Sequence, residues 1–183
     1  MAVKEAEAKS KSNLDFRLMS LTYKFWDFLL PRQDVLKEVG IEVGFSVLDF
    51  GCGPGSYISP LAELIGESGR VYALDVHPLA IQAVQRIVAR KRLTNVQTIL
   101  SDCKTGLPPS GTDVVLLYDI LHDLGDPDAV LVELHRVLRP GGTLSVSDHH
   151  LKQDEIISRV TNRELFKLTA KSKKTCSFSK EER

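Results

Sequence analysis

The chain has 183 residues, 43% of them hydrophobic and 26% charged, a composition and length suited to one globular domain whose core needs no disulfide or metal. Its 24 basic residues equal its 24 acidic ones; because phosphate contacts supply most nucleic-acid affinity, a neutral chain is a poor candidate for that class of partner. The three cysteines, Cys52, Cys103 and Cys176, have neither disulfide nor zinc spacing, and no segment is long and apolar enough to span a bilayer, so a reducing, cytoplasmic location is expected.

The pattern along the chain starts with a charged, small-residue stretch, 1–12, expected to be a flexible tail. Residues 13–40 read as a helical flank. Leu14, Leu18, Leu21, Phe25 and Leu29 recur at helical spacing, Pro31 ends the first helix, and a second runs from Arg32 to Val39 and stops at Gly40. The aromatic residues Tyr23, Phe25 and Trp26 would serve as a lid over a crevice, as packing on a sheet, or as a homodimer contact.

From residue 41 to 183 strands and helices alternate. Short apolar strands are expected at 46–50, 70–75, 96–100, 113–118 and 143–147, with helices at 56–65, 78–92, 128–138 and 154–161. Such alternation implies a parallel α/β sheet covered on both faces; DVVLLY and VYAL are apolar on both sides, as that burial requires. At the end, 164–169 and 175–178 read as strands joined by the polar turn KSKK, too short a link for a parallel crossover, so this pair is expected to be an antiparallel hairpin.

The segment VLDFGCGPG, 47–55, carries the most information. Gly51, Gly53 and Gly55 lie between a strand and a helix, where missing side chains let a ligand rest on the main chain. The spacing is G-x-G-x-G, and Ser56 stands where a dinucleotide fingerprint needs glycine or alanine, which points away from a pyrophosphate ligand. Asp75 closes the second strand about 20 residues later, the place from which a carboxylate accepts from ribose hydroxyls; the alternative is a turn or helix cap. Asp102, after the third strand, either meets a base amino group or forms a turn. Asp119 ends the fourth strand and either faces the ligand or caps a loop. His122 beyond it is a candidate general base, or else a solvated cap. Asp148, His149 and His150 follow the fifth strand. Adjacent side chains on a strand point to opposite faces, so no metal site is expected there.

Taken together, these segments resemble the class I S-adenosylmethionine (SAM)-dependent methyltransferases, in the small-molecule branch that includes ubiquinone and menaquinone biosynthesis. VLDFGCGPG, VYALDVH, SDCKTGLP, DVVLLYDILHDL and LRPGGTLSVSD match that family's motifs in order, from about residue 43 onward. The resemblance implies a Rossmann-like doubly wound sheet of seven strands, the last antiparallel. It implies SAM as cofactor, with S-adenosylhomocysteine as product, and a small-molecule acceptor. It also implies residue roles: Asp49, Gly51, Cys52, Gly53 and Gly55 at the methionine end, Asp75 at the ribose, Val76 and His77 beside the adenosine, Asp102 and Cys103 at the adenine, Tyr118 and Asp119 on the floor near the methyl. His122 and Asp119 are then the catalytic candidates. Many relatives carry a substrate-binding insertion after the fifth strand that this chain lacks, which leaves the acceptor open. The alternatives are a protein or RNA methyltransferase and a non-catalytic SAM-binding module.

Overall fold

A computed structural model describes residues 32–181, with side chains from Val35 onward. The expected tail and the helix bearing Tyr23, Phe25 and Trp26 lie outside the described residues. Helix α1 is Arg32–Lys37, followed by β1 Ser46–Phe50, α2 Ile58–Ile65, β2 Arg70–Asp75, α3 Pro78–Lys91, β3 Val96–Leu100 and β4 Thr112–Tyr118. Then come α4 Pro127–Val137, β5 Leu138–Ser147, α5 Gln153–Thr161, β6 Phe166–Lys171 and β7 Cys176–Lys180. The seven strands form one sheet in the order β3-β2-β1-β4-β5-β7-β6. The first five are mutually parallel, while β7 runs antiparallel to both β5 and β6. This is the expected architecture.

Strand side chains divide between two cores with period two. Val47, Val71, Ala73, Val114 and Leu116 pack against Leu36, Ile58, Leu61, Ile65 and Val84 of α1, α2 and α3. Leu48, Phe50, Val115, Leu117, Leu144 and Val146 meet Val130, Leu131, Leu134 and Val137 of α4, and Ile156 and Val160 of α5. Each helix turns one apolar stripe to the sheet, and burial of that stripe against a two-sided strand drives the layering.

Boundaries differ from expectation where local chemistry competes. Helix α2 begins at Ile58, not Ser56, with Tyr57 at its N-cap. Strand β5 begins at Leu138, because Leu138 already pairs with Thr112 before the chain bulges past Pro140-Gly141-Gly142 and resumes at Thr143 opposite Val114. The hairpin strands lie about two residues later than the residue pattern suggests. Their register follows from Phe178, which pairs with both Leu144 and Leu168.

Between β3 and β4 the chain runs without regular structure, and a polar cluster ties it to α4. The Glu133 carboxylate accepts from Thr105 N at 2.9 Å and Thr105 Oγ1 at 2.6 Å. Arg136 donates to Glu133 and, through Nη2, to Leu107 O at 2.9 Å. The Arg136 hydrogen bond, reinforced by Thr105 and opposed by partial burial, holds the Glu133 carboxyl down to about 2 from an ordinary 4.5. A carboxyl whose pKa falls on folding contributes stability that is fully present above its unfolded value and is lost as pH drops through the folded one. Glu133→Gln is therefore expected to lower unfolding free energy at pH 7 by about 2–3 kcal/mol, allowing for solvent at the half-open guanidinium. The deficit should shrink between pH 4.5 and 2 as the wild-type carboxylate protonates. Denaturant titrations across that range check it; a deficit independent of pH would contradict it.

Candidate cofactor crevice and histidine cluster

The crevice opens at the carboxyl ends of β1 and β4. Connections from β1 and β4 leave in opposite directions there, so the two loops part and make room for a ligand. The turn after β1 bends sharply: Gly51, Gly53 and Gly55 have φ of +81°, +51° and +89°. The three glycines serve different ends. A Cβ on Gly55 would lie 2.8 Å from Ile87 Cδ1, and one on Gly51 3.1 Å from Ile120 Cγ1, so those two permit close packing of the loop. A Cβ on Gly53 would meet nothing within 4 Å, so Gly53 presents bare main chain to open space.

Asp75 holds this turn in place. Its Oδ2 accepts from Gly53 N at 2.8 Å and its Oδ1 from His77 N at 2.8 Å. Gly51 N and Cys52 N both donate to Leu74 O, at 2.8 and 2.9 Å. Burial pushes the Asp75 carboxyl up, and the backbone N–H groups of His77 and Gly53 only partly offset it. Each oxygen retains a lone pair for a further donor. His77 caps α3, its Nδ1 accepting from Leu79 N at 3.1 Å, so the helix cap considered for Asp75 is made by its neighbour.

Beyond Asp75, Val76 is 53% exposed, and Leu100, which pairs with Asp75 at the end of β3, is 58% exposed. They form an apolar shelf suited to a flat ring, of which the sequence reading named only Val76. Asp102 is exposed and Cys103 half-buried beside the shelf. On the other side, Asp49 and Cys52 are buried, and burial together with the Asp49 and Asp75 charges holds the Cys52 thiol well above its usual range, which rules it out as a nucleophile at neutral pH. Tyr118 is also buried. Its hydroxyl shares a 2.8 Å hydrogen bond with Ser145 Oγ and its ring meets Tyr57 edge-on at 5.2 Å, so it braces the floor from beneath.

The end of β4 and the end of β5 adjoin, since Tyr118 pairs with Ser147. Asp119, at φ +54°, accepts on Oδ1 from His149 N at 3.0 Å and shares a 2.8 Å contact with His149 Nδ1. Asp148 is paired with His122 instead. Its Oδ2 accepts from His122 N at 3.1 Å and lies 2.8 Å from His122 Nδ1, and its Oδ1 accepts from His150 N at 2.9 Å. The catalytic candidates His122 and Asp119 thus belong to separate acid–histidine pairs. The rings of His122 and His149 lie 4.2 and 3.9 Å from that of His150. His149 and His150 occupy a turn after β5, so the strand alternation expected to separate them does not operate. The His122–Asp148 pairing could have been inferred from the strand order, which sets the two strand ends side by side.

If the Tyr118 hydroxyl is structural, Tyr118→Phe should lower stability by about 1 kcal/mol, the usual net worth of one such hydrogen bond. Ligand affinity in the crevice should stay within a factor of two. A thermal melt paired with a binding isotherm tests this, and a large affinity loss at unchanged stability would put the hydroxyl in the ligand site.

Comparison with known proteins agrees with this geometry. The family model for a methyltransferase domain matches residues 41–182. A demethylmenaquinone methyltransferase of Geobacillus sp. (strain WCH70) is 33% identical over 125 residues, covering 68% of this chain and 53% of that protein. The ubiquinone/menaquinone biosynthesis C-methyltransferase UbiE of Shewanella oneidensis is 27% identical over 152 residues, covering 81% and 58%. The chain thus spans little more than half the length of these curated relatives. Among solved structures, a SAM-dependent methyltransferase from Aquifex aeolicus superposes with a TM-score of 0.74 at 26% identity, over 82% of this chain and 88% of that one. With its glycine turn, its acid-closed second strand and a family match over most of its length, the chain belongs to the methyltransferase domain family.

Proposed function

We propose that this protein is a SAM-dependent methyltransferase acting on a small molecule. The observation that carries the reading is the bare main chain at Gly53, clipped to Asp75 and facing open space, a cradle that any side chain at Gly53 would begin to fill. The named activity of the relatives, which act in menaquinone and ubiquinone biosynthesis, supports a ring-bearing acceptor of that chemical kind.

In this reading the residues divide as follows. Asp49, Gly51, Cys52, Gly53 and Gly55 form the wall at the methionine end. Asp75 accepts from the ribose hydroxyls through its spare lone pairs. Val76, with His77 behind it, and Leu100 flank the adenine, and Asp102 and Cys103 face its edge. Tyr118 supports the floor from below, and Asp119 borders it. Bound SAM supplies an activated methyl carried on a sulfonium, whose positive charge is lost on transfer. The protein's task is to align an acceptor with that methyl and keep water away, and positioning of this kind supplies a large share of a rate enhancement.

His122 takes the acceptor's proton. Its Nδ1 faces a carboxylate that accepts only, so the ring proton sits on Nδ1 and the lone pair on Nε2. Burial alone would raise the Asp148 carboxyl, but its bonds from the His122 ring and from His150 N and His122 N prevail and hold it below the ordinary aspartate range. Asp148 is thus charged at neutral pH and fixes the tautomer and orientation of the His122 ring. Asp119 pairs with His149, so its part is to shape the floor, not to activate His122.

The test is transfer of labelled methyl from SAM to a panel of hydroxylated aromatic and quinol acceptors. Turnover is expected with at least one, and His122→Ala should reduce kcat about 100-fold with SAM affinity unchanged. Tight SAM binding with no transfer to any acceptor would favour a binding module, and an unaltered kcat in His122→Ala would remove the base assignment.

A further inference from the structure

We infer that Asp119, Asp148 and His149 form a binding site for a divalent transition-metal cation at the joined ends of β4 and β5. One oxygen of each carboxylate and one ring nitrogen of His149 lie within 4.8 Å of one another. An ion bound at about 2.1 Å from each donor needs them roughly 3–4 Å apart, so the site closes through small side-chain rotations. The side chains that must move are the accessible ones: His149 is 59% exposed and Asp119 23%, against 0% for Asp148. Asp148 is the fixed member. His122 grips its Oδ2 through both backbone and ring, and its Oδ1, which accepts from His150 N, keeps a lone pair.

Charge supports the same conclusion. Among the described residues, neither carboxylate has an ion pair with lysine or arginine, and their only ion-pair partners are histidines. Two adjacent carboxylates are stabilised by a dication, and the hydrogen bonds that Asp148 accepts from His122 and from His150 N are of the kind that orient a ligand from behind. An imidazole beside two carboxylates selects zinc, cobalt, nickel or manganese over magnesium, which prefers oxygen donors and water. The proposal stands on side-chain geometry and charge and does not depend on methyl transfer.

The test is titration of the metal-stripped, tag-free full chain with cobalt(II), followed by visible absorption, and with zinc and magnesium, followed by calorimetry. One ion per chain is expected, with magnesium at least about 100-fold weaker than zinc. His149→Ala and Asp119→Asn should each weaken cobalt and zinc at least about tenfold. His135→Gln, whose ring bonds Glu181 O away from this cluster, should leave affinity unchanged. His149 is exposed, so its variant is expected to fold, which circular dichroism verifies. The inference is overturned if the wild-type chain binds no ion stoichiometrically, if neither variant alters affinity, if magnesium binds as tightly as zinc, or if thiolate charge-transfer absorption assigns the ion to a cysteine.

Discussion

The crevice depends on one carboxylate. Asp75 closes β2 and uses both oxygens on backbone N–H groups, one from the glycine turn after β1 and one from the start of α3. Those two segments are far apart in sequence and adjacent in the sheet, and the acid joins them across the β1–β2 pairing. Without it, Gly53, which has no side chain to pack and a positive φ, would have little to hold its main chain in one position. The energetic burden falls on burial of the acid, which pushes its carboxyl up, and charge-assisted hydrogen bonds offset part of it. A group held in this way is poised to exchange or share its acceptors with a hydroxylated ligand at little reorganisation.

The two ends of the crevice differ in character. Around Asp75 the site is main chain and apolar shelf, with Val76 and Leu100 exposed and few charges. Around β4 and β5 it holds two carboxylates and three imidazoles. The sheet produces the division: β1 and β2 lie on one side of the switch point, and β4 and β5 on the other. Thr105, Glu133 and Arg136 then tie the segment after β3 to α4.

Much of this was legible in the residues. Strands β1 and β2 fall where the apolar runs place them, because strands buried on both sides leave a continuous signal that glycines and polar turns interrupt cleanly. The glycine turn and Asp75 were legible for a related reason, since positive φ and strand-end acids are requirements that few other residues satisfy. Less could be read where contacts cross between distant segments. That His122 pairs with Asp148, and Asp119 with His149, depends on the adjacency of β4 and β5. That His149 and His150 share a turn depends on where β5 stops. Gly51 and Gly55 looked like Gly53 in the sequence, yet their space is taken by Ile120 and Ile87. The hairpin register was also obscure, because the alternation in 166–171 assigns faces but not partners, and the pairing of Phe178 decides it.

The most direct measurement is calorimetric titration of S-adenosylhomocysteine into the wild-type chain and into Asp75→Ala, with folding of both checked by thermal melting. The account predicts saturable binding at one site to the wild type and a loss of at least about 30-fold in the variant, since two or more charge-assisted hydrogen bonds, each worth roughly 1.5–3 kcal/mol, depend on that carboxylate. Equal affinity in a folded variant, or no binding to the wild type, would contradict it.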